Sequence, residues 1–156
     1  MLEGMVPFPP ELAARYRAKG YWQDRSLASE FMEIYAKYAD RVALVEGERS
    51  YTYRDLDRIT DNLALNLLAI GLAPLDRVVP TLPNVAEFVM LYLALQKIGG
   101  VPIAALVTHR YAEVSQFVTL SGATACVYPE RSGDFAFGPM IVLWTIVPPP
   151  SPEIAN

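Results

Sequence analysis

The chain has 156 residues, of which 53% are hydrophobic, and a formal net charge of −4. That length suits one domain with a real core, and that apolar content excludes global disorder. The mild acidity, without any basic cluster, argues against nucleic-acid and anionic-membrane partners, and the single cysteine, Cys126, permits neither an internal disulfide nor a cysteine-based metal site.

The chain opens with a proline-containing lead. Pro9-Pro10-Glu11 begins a helix, since Pro is tolerated in the first turn and Glu favours the positive end of the helix dipole; Gly20 stops it. Tyr21-Trp22-Gln23-Asp24 is an aromatic turn, with Tyr21 and Trp22 expected to pack the first helix onto the domain. Ser26 is the expected cap of a helix over Leu27–Tyr38, with Phe31, Ile34, Tyr35 and Tyr38 marking its buried side. Val42–Val45 and Arg49–Thr52 flank Glu46-Gly47-Glu48 as a hairpin, and the two glutamates read as turn residues. Thr52, with Asp55 three residues on, caps a long helix whose apolar stripe reads Leu56, Ile59, Leu63, Leu67 and Ile70. Asp55, Asp57 and Asp61 fall on its polar side and read as solvated, not as a metal site.

From Arg77 onward, strands and helices alternate, the pattern of a parallel α/β sheet. Arg77–Leu82 is a strand, Asn84–Ile98 a helix and Val101–Val107 a second strand. Asn84 is the expected cap, with Glu87 answering it, and Gly99-Gly100 ends a helix that is apolar nearly all round and therefore buried on more than one side. Thr108-His109-Arg110 starts a helix running through Leu120, and Ala123–Tyr128 is a strand with Cys126 in its middle, where the thiol reads as buried and inert. Arg131–Pro139 is turn-rich, Met140–Val147 is long enough for one strand, and Pro148–Pro152 cannot join a sheet interior. No apolar run reaches the roughly 20 residues of a membrane helix, and no basic stretch leads into an apolar core at the N-terminus. A soluble cytoplasmic protein is therefore the expectation.

Several of these segments resemble the adenylate-forming superfamily: Ser50-Tyr51-Thr52-Tyr53-Arg54-Asp55-Leu56 its first core motif, and Leu95-Gln96-Lys97-Ile98-Gly99-Gly100-Val101-Pro102 its second. Gly20-Tyr21-Trp22-Gln23-Asp24, Leu82-Pro83-Asn84-Val85-Ala86-Glu87-Phe88 and Thr108-His109-Arg110 with Glu113 are similar to the aryl-acid AMP ligases, of which 2,3-dihydroxybenzoate–AMP ligase is the example. The resemblance runs from about Phe8 to Pro129. It implies residues 1–139 as the N-terminal part of an AMP-binding α/β domain, a mostly parallel sheet with flanking helices and a helix-hairpin lead, followed by an unassigned tail over 140–156. It implies ATP with Mg as cofactor, an aromatic carboxylic acid such as 2,3-dihydroxybenzoate or salicylate as substrate, and an aryl carrier protein as partner in siderophore biosynthesis.

The resemblance also leaves parts unmatched. The family's Ser/Thr/Gly-rich phosphate loop ending in Lys has no counterpart; Ser132-Gly133-Asp134 is the nearest stretch and lacks the glycines and the Lys. The chain therefore reads as a truncated member, inactive alone and without tight ATP binding, and no catalytic residue is carried over. The alternatives are a non-catalytic interaction module that pairs with a complementary fragment or with itself through an unfinished sheet edge, and a fragment of an acyl-CoA synthetase. The candidate substrate contacts are His109, the only histidine, and Arg110, at the carboxyl end of a strand. Pro80 stands inside what reads as a central strand and removes a ladder donor there, at a cost on the order of 3 kcal/mol by analogy with helix interiors unless a bulge or an edge accommodates it.

Overall fold

Local chemistry sets the first half of the fold. In the computed structural model, which describes residues 6–138, helix α1 spans Pro10–Ala18 and α2 spans Leu27–Lys37. The Ser26 side chain accepts the Ser29 backbone N–H at 3.1 Å, as its position before the apolar run predicts. Strands β1 (Val42–Glu46) and β2 (Arg49–Thr52) form an antiparallel hairpin, and β2 runs directly into α3 (Tyr53–Ala69). Thr52 and Asp55 form a full capping box at that junction: Thr52 Oγ1 accepts from the Asp55 N–H at 3.1 Å and Asp55 accepts from the Thr52 N–H at 3.0 Å.

The second half is a three-stranded parallel sheet in the order β4-β3-β5, with β3 (Arg77–Pro80), β4 (Val101–Pro102) and β5 (Ala125–Val127). Helix α4 (Ala86–Ile98) connects β3 to β4, and α5 (Tyr111–Ser121) connects β4 to β5. The alternation of side chains along β3 separates the two layers. Val78 packs with Leu91, Ala94 and Leu95 of α4 and with Ala64 and Leu67 of α3. Val79 packs on the other face with Val114 and Val118 of α5 and with Phe137. Helix α4 is thus covered by sheet on one side and by α3 on another, which its all-round apolar sequence foreshadows; Ala94 and Leu95 are wholly buried. Gly99 ends α4 with φ +72°, a left-handed conformation that costs glycine nothing. A short hairpin of β6 (Arg131–Ser132) and β7 (Phe135–Ala136) follows β5.

The structure corrects several expectations. Helix α4 begins at Ala86, behind Val85, and takes no cap from Asn84. The Val85 N–H closes a tight turn on the Pro83 carbonyl at 2.9 Å, which carries Asn84 away from the first helical turn. The Ala86 N–H is met instead by the carboxylate of Glu46 at 3.0 Å, so Glu46 is more than a turn residue. Glu87 turns outward to Arg49 at 2.7 Å. In α3 Leu56 and Leu67 are buried with Thr60 and Ala64, Ile59 and Leu63 pack half-buried against the same cores, and Ile70 alone of the expected stripe is exposed, at 77%. Asp57 and Asp61 keep the solvent exposure expected of them, but each also holds Lys97 Nζ at 2.6 Å, tying α3 to α4. In α2, Tyr35 is buried and Ile34 is exposed. Tyr21 and Trp22 pack on Tyr16, and Trp22 also on Phe8, so they finish a local aromatic cluster around α1.

The strands are shorter than the apolar runs that suggest them. Ladder pairing of β4 covers Val101–Pro102 only, and the chain from Ile103 to Arg110 is a loop. Pro80 is the last residue of the central strand, and its rungs on either side survive: its carbonyl accepts the Ala105 N–H at 3.0 Å, and Thr81 donates to Val127 at 2.7 Å. Arg131–Gly138 holds the β6–β7 hairpin within its turns. The strand expected over Met140–Val147, the proline run after it and the boundary at residue 140 lie outside the described residues.

Candidate functional site

The order β4-β3-β5 dictates where a ligand crevice falls. The chain leaves β3 toward the α4 face and leaves β4 toward the α5 face, so the two outgoing loops diverge at the carboxyl ends of adjacent strands. Open α/β sheets bind ligands at such a divergence. A cavity of about 350 Å³ occupies it, walled by Leu82, Pro83 and Asn84 with Phe88 on one side and by Ala104–Thr108 on the other. The lining is apolar apart from the neutral side chains of Asn84 and Thr108. Among the described residues its lining holds no cationic side chain for a triphosphate, and its apolar walls suit an apolar group.

His109 and Arg110 stand directly behind the second wall, and their polar atoms face inward to the loop. The Leu106 N–H donates to His109 Nδ1 at 3.1 Å, and the His109 N–H returns to the Leu106 carbonyl at 3.0 Å. The imidazole meets the Phe117 ring edge-on, with centroids 5.2 Å apart. Arg110 Nη1 donates to the carbonyls of Val107 at 2.8 Å and His109 at 3.0 Å, and its guanidinium lies 3.9 Å from the centre of the Phe135 ring. The Arg110 N–H donates to Glu113 at 2.9 Å, and this backbone bond holds the Glu113 carboxyl below its ordinary range. The structure therefore joins His109, Arg110 and Glu113 into one scaffold and attaches the β6–β7 hairpin to it.

The first wall has a scaffold that sequence reasoning missed. Glu46 and Arg49 from the β1–β2 hairpin reach the first turn of α4 at Ala86 and Glu87. Their only sequence signal is an acid–base pair beside a hairpin turn, which carries no information about a helix 40 residues on. Cys126, on β5, is away from the crevice lining, and burial pushes its thiol up to about 11, so it is a poor nucleophile. Among the described residues, no group of three or more His, Cys, Asp or Glu side chains converges as a metal site. No described helix is long and apolar enough to cross a membrane.

Comparison with known proteins adds to this geometry. Residues 31–141 match the family model described as AMP-binding enzyme. The chain is 36% identical to 2,3-dihydroxybenzoate-AMP ligase of Bacillus subtilis across 88% of its own length and 25% of the ligase. It is also 36% identical to the salicyl-AMP ligase / salicyl-S-ArCP synthetase of Mycobacterium tuberculosis, across 89% of its length and 26% of that protein. Among solved structures, apo MbtA of Mycobacterium smegmatis superposes with a TM-score of 0.77 at 32% identity, covering 98% of this chain and 33% of MbtA. The N-terminal subdomain of Klebsiella oxytoca NpsA gives 0.67 at 27% identity, covering 69% of this chain and 28% of that one. The chain spans about a quarter of the length of the curated relatives it matches.

Proposed function

Since the chain belongs to the AMP-binding enzyme family, we propose that it carries the N-terminal portion of an aryl-acid AMP ligase. The reaction class is adenylation of 2,3-dihydroxybenzoate or salicylate with ATP and Mg, then passage of the aroyl group to the thiol of an aryl carrier protein in siderophore biosynthesis. The observation that carries this reading is the crevice at the diverging ends of β3 and β4, on a chain this similar to two aryl-acid ligases. The apolar walls suit the aromatic part of such a ligand. For its phosphates, the described lining holds no cationic side chain. By itself the chain is accordingly read as a scaffold without catalysis and without tight ATP binding, in the cytoplasm.

A chimera tests the family-level reading. This chain replaces the matching quarter of the B. subtilis ligase, and ATP–pyrophosphate exchange is measured with 2,3-dihydroxybenzoate and with salicylate. Exchange is expected with at least one of them. A folded chimera inactive with both acids sinks the reading, and exchange by the isolated chain overturns its proposed inactivity.

A second reading is favoured by one observation. Among the described residues β5 pairs with β3 alone, leaving an open edge beside an apolar groove of about 520 Å³ between α3 and α4. A module that takes up a complementary fragment, or a second copy, would use that edge. Sedimentation of the purified chain separates these cases: a monomer that ignores the remaining three quarters of the ligase added in trans rejects both.

A further inference from the structure

Behind the crevice, the loop from Ile103 to Arg110 has no ladder partner for most of its length, yet it forms one entire wall. Its exposed Leu106 carries a backbone N–H whose partner is the ring nitrogen of His109. An imidazole nitrogen accepts a hydrogen bond only when it carries no proton, so this bond requires the neutral ring with its hydrogen on Nε2. Phe117 fixes the plane of the ring from α5. The reciprocal bond from the His109 N–H to the Leu106 carbonyl closes the turn, with Val107 and Thr108 at its tip.

We propose that His109 is a positioning residue for the crevice: its neutral Nδ1 holds the Leu106 amide and thereby sets the Ala104–Thr108 wall. The importance of that wall for a ligand rests on the reading of the crevice given above; the latch itself does not. Protonation removes the acceptor and sets an N–H against an N–H, so acid opens the turn. The charged groups beside the ring are Glu113, whose carboxylate is engaged by the Arg110 N–H, and the Arg110 guanidinium, engaged by two loop carbonyls and Phe135.

The test compares the 156-residue chain with His109→Asn and His109→Phe. Asn places an oxygen near the position of Nδ1; Phe keeps the edge-on contact with Phe117 and lacks the acceptor. The readouts are the protection factor of the Leu106 amide against hydrogen exchange and the nitrogen-15 shifts of the His109 ring. In the native chain the Nε2–H tautomer is expected, with protection that falls on acidification. His109→Phe should lose protection by about fivefold, the scale of one net hydrogen bond, while His109→Asn retains it and removes the acid step. An Nδ1–H tautomer, or equal Leu106 protection in the native chain and His109→Phe, overturns the proposal. Titration with an aroyl-sulfamoyl adenosine supplies a separate arm. If the native chain binds it, weaker binding by His109→Phe, restored in His109→Asn, is the expected result, and equal binding by all three forms removes His109 from ligand positioning. Absence of binding to every form agrees with the scaffold reading above, and the exchange result then decides the latch.

Discussion

The carboxylate of Glu46 accepts the backbone N–H of Ala86 at 3.0 Å, so the first turn of α4 is capped by a side chain from the β1–β2 hairpin. The same carboxylate pairs with Arg49, which reaches on to Glu87. A helix N-terminus leaves its first N–H groups without intrahelical partners, and a capping oxygen is worth about 1 kcal/mol. Glu46→Ala is expected to destabilise the chain by about that amount in urea unfolding, whereas Glu46→Gln, which keeps an oxygen acceptor, recovers most of the loss. Equal losses in the two variants would show that charge and not the capping bond matters.

Arg77 does the converse at the far end of the sheet. Its Nε donates to the Ser121 carbonyl at 2.7 Å and its Nη2 to the Gly122 carbonyl at 3.2 Å, closing the C-terminus of α5 with a positive charge. Gly122 itself sits at φ +61°, and an added Cβ would stand 3.0 Å from Arg77 Nη2. Arg77→Met keeps the stem and loses the donors. A loss of about 1–2 kcal/mol in the same unfolding assay is the expected outcome. A change within about 0.5 kcal/mol, the range of an ordinary surface substitution, would remove Arg77 from the capping role.

These two contacts explain what was legible in the sequence. Caps made by neighbours could be read: Ser26 with Ser29, Thr52 with Asp55, and Gly99 at the end of α4. So could the alternation of strand and helix and the all-round burial of α4. Caps made across the fold could not, because nothing near Ala86 or Ser121 encodes Glu46 or Arg77. The same holds for Lys97, which is 10% exposed and reaches both Asp57 and Asp61 from another helix. His109 and Arg110 stood out as residue types at a strand end. What their spacing did not reveal is that both side chains fold back on the loop carbonyls and amides of residues 106–109.

Tyr35 supplies the alkaline prediction. Burial, with the carboxylates of Asp57 and Asp61 adding to it, pushes its phenol up to about 12. An unfolded tyrosine titrates near about 10. The folded chain therefore holds the proton more tightly than the unfolded chain, and this contribution to stability is fully present below about pH 10. It is lost as pH rises from about 10 through 12, because the unfolded state ionises first. Urea midpoints followed across that window should decline in the native chain and decline less in Tyr35→Phe. Matching slopes in the two proteins would assign the alkaline loss to other groups.

Pro80 closes the central strand in a place where most strands would carry an N–H. In a parallel ladder the nitrogen and carbonyl of one residue face the same neighbour. The Pro80 carbonyl receives Ala105, so its nitrogen faces the β4 side, beyond the last paired residue of β4, Pro102. On this side the carbonyls of Asp76, Val78 and Pro80 accept from Val101, Ile103 and Ala105 in turn. The absent donor thus faces Ile103, just past the paired residues of β4, and is flanked by the bonds from Ile103 to Val78 and from Ala105 to Pro80. Pro80→Val restores an N–H and improves strand propensity, and is expected to change stability by no more than about 1 kcal/mol. A gain of about 3 kcal/mol would mean that the central strand does lack a bond it needs. The same variant checks the link to the crevice, since a new donor facing Ile103 would draw the loop toward β3 and change the exchange protection of the Ala105 amide.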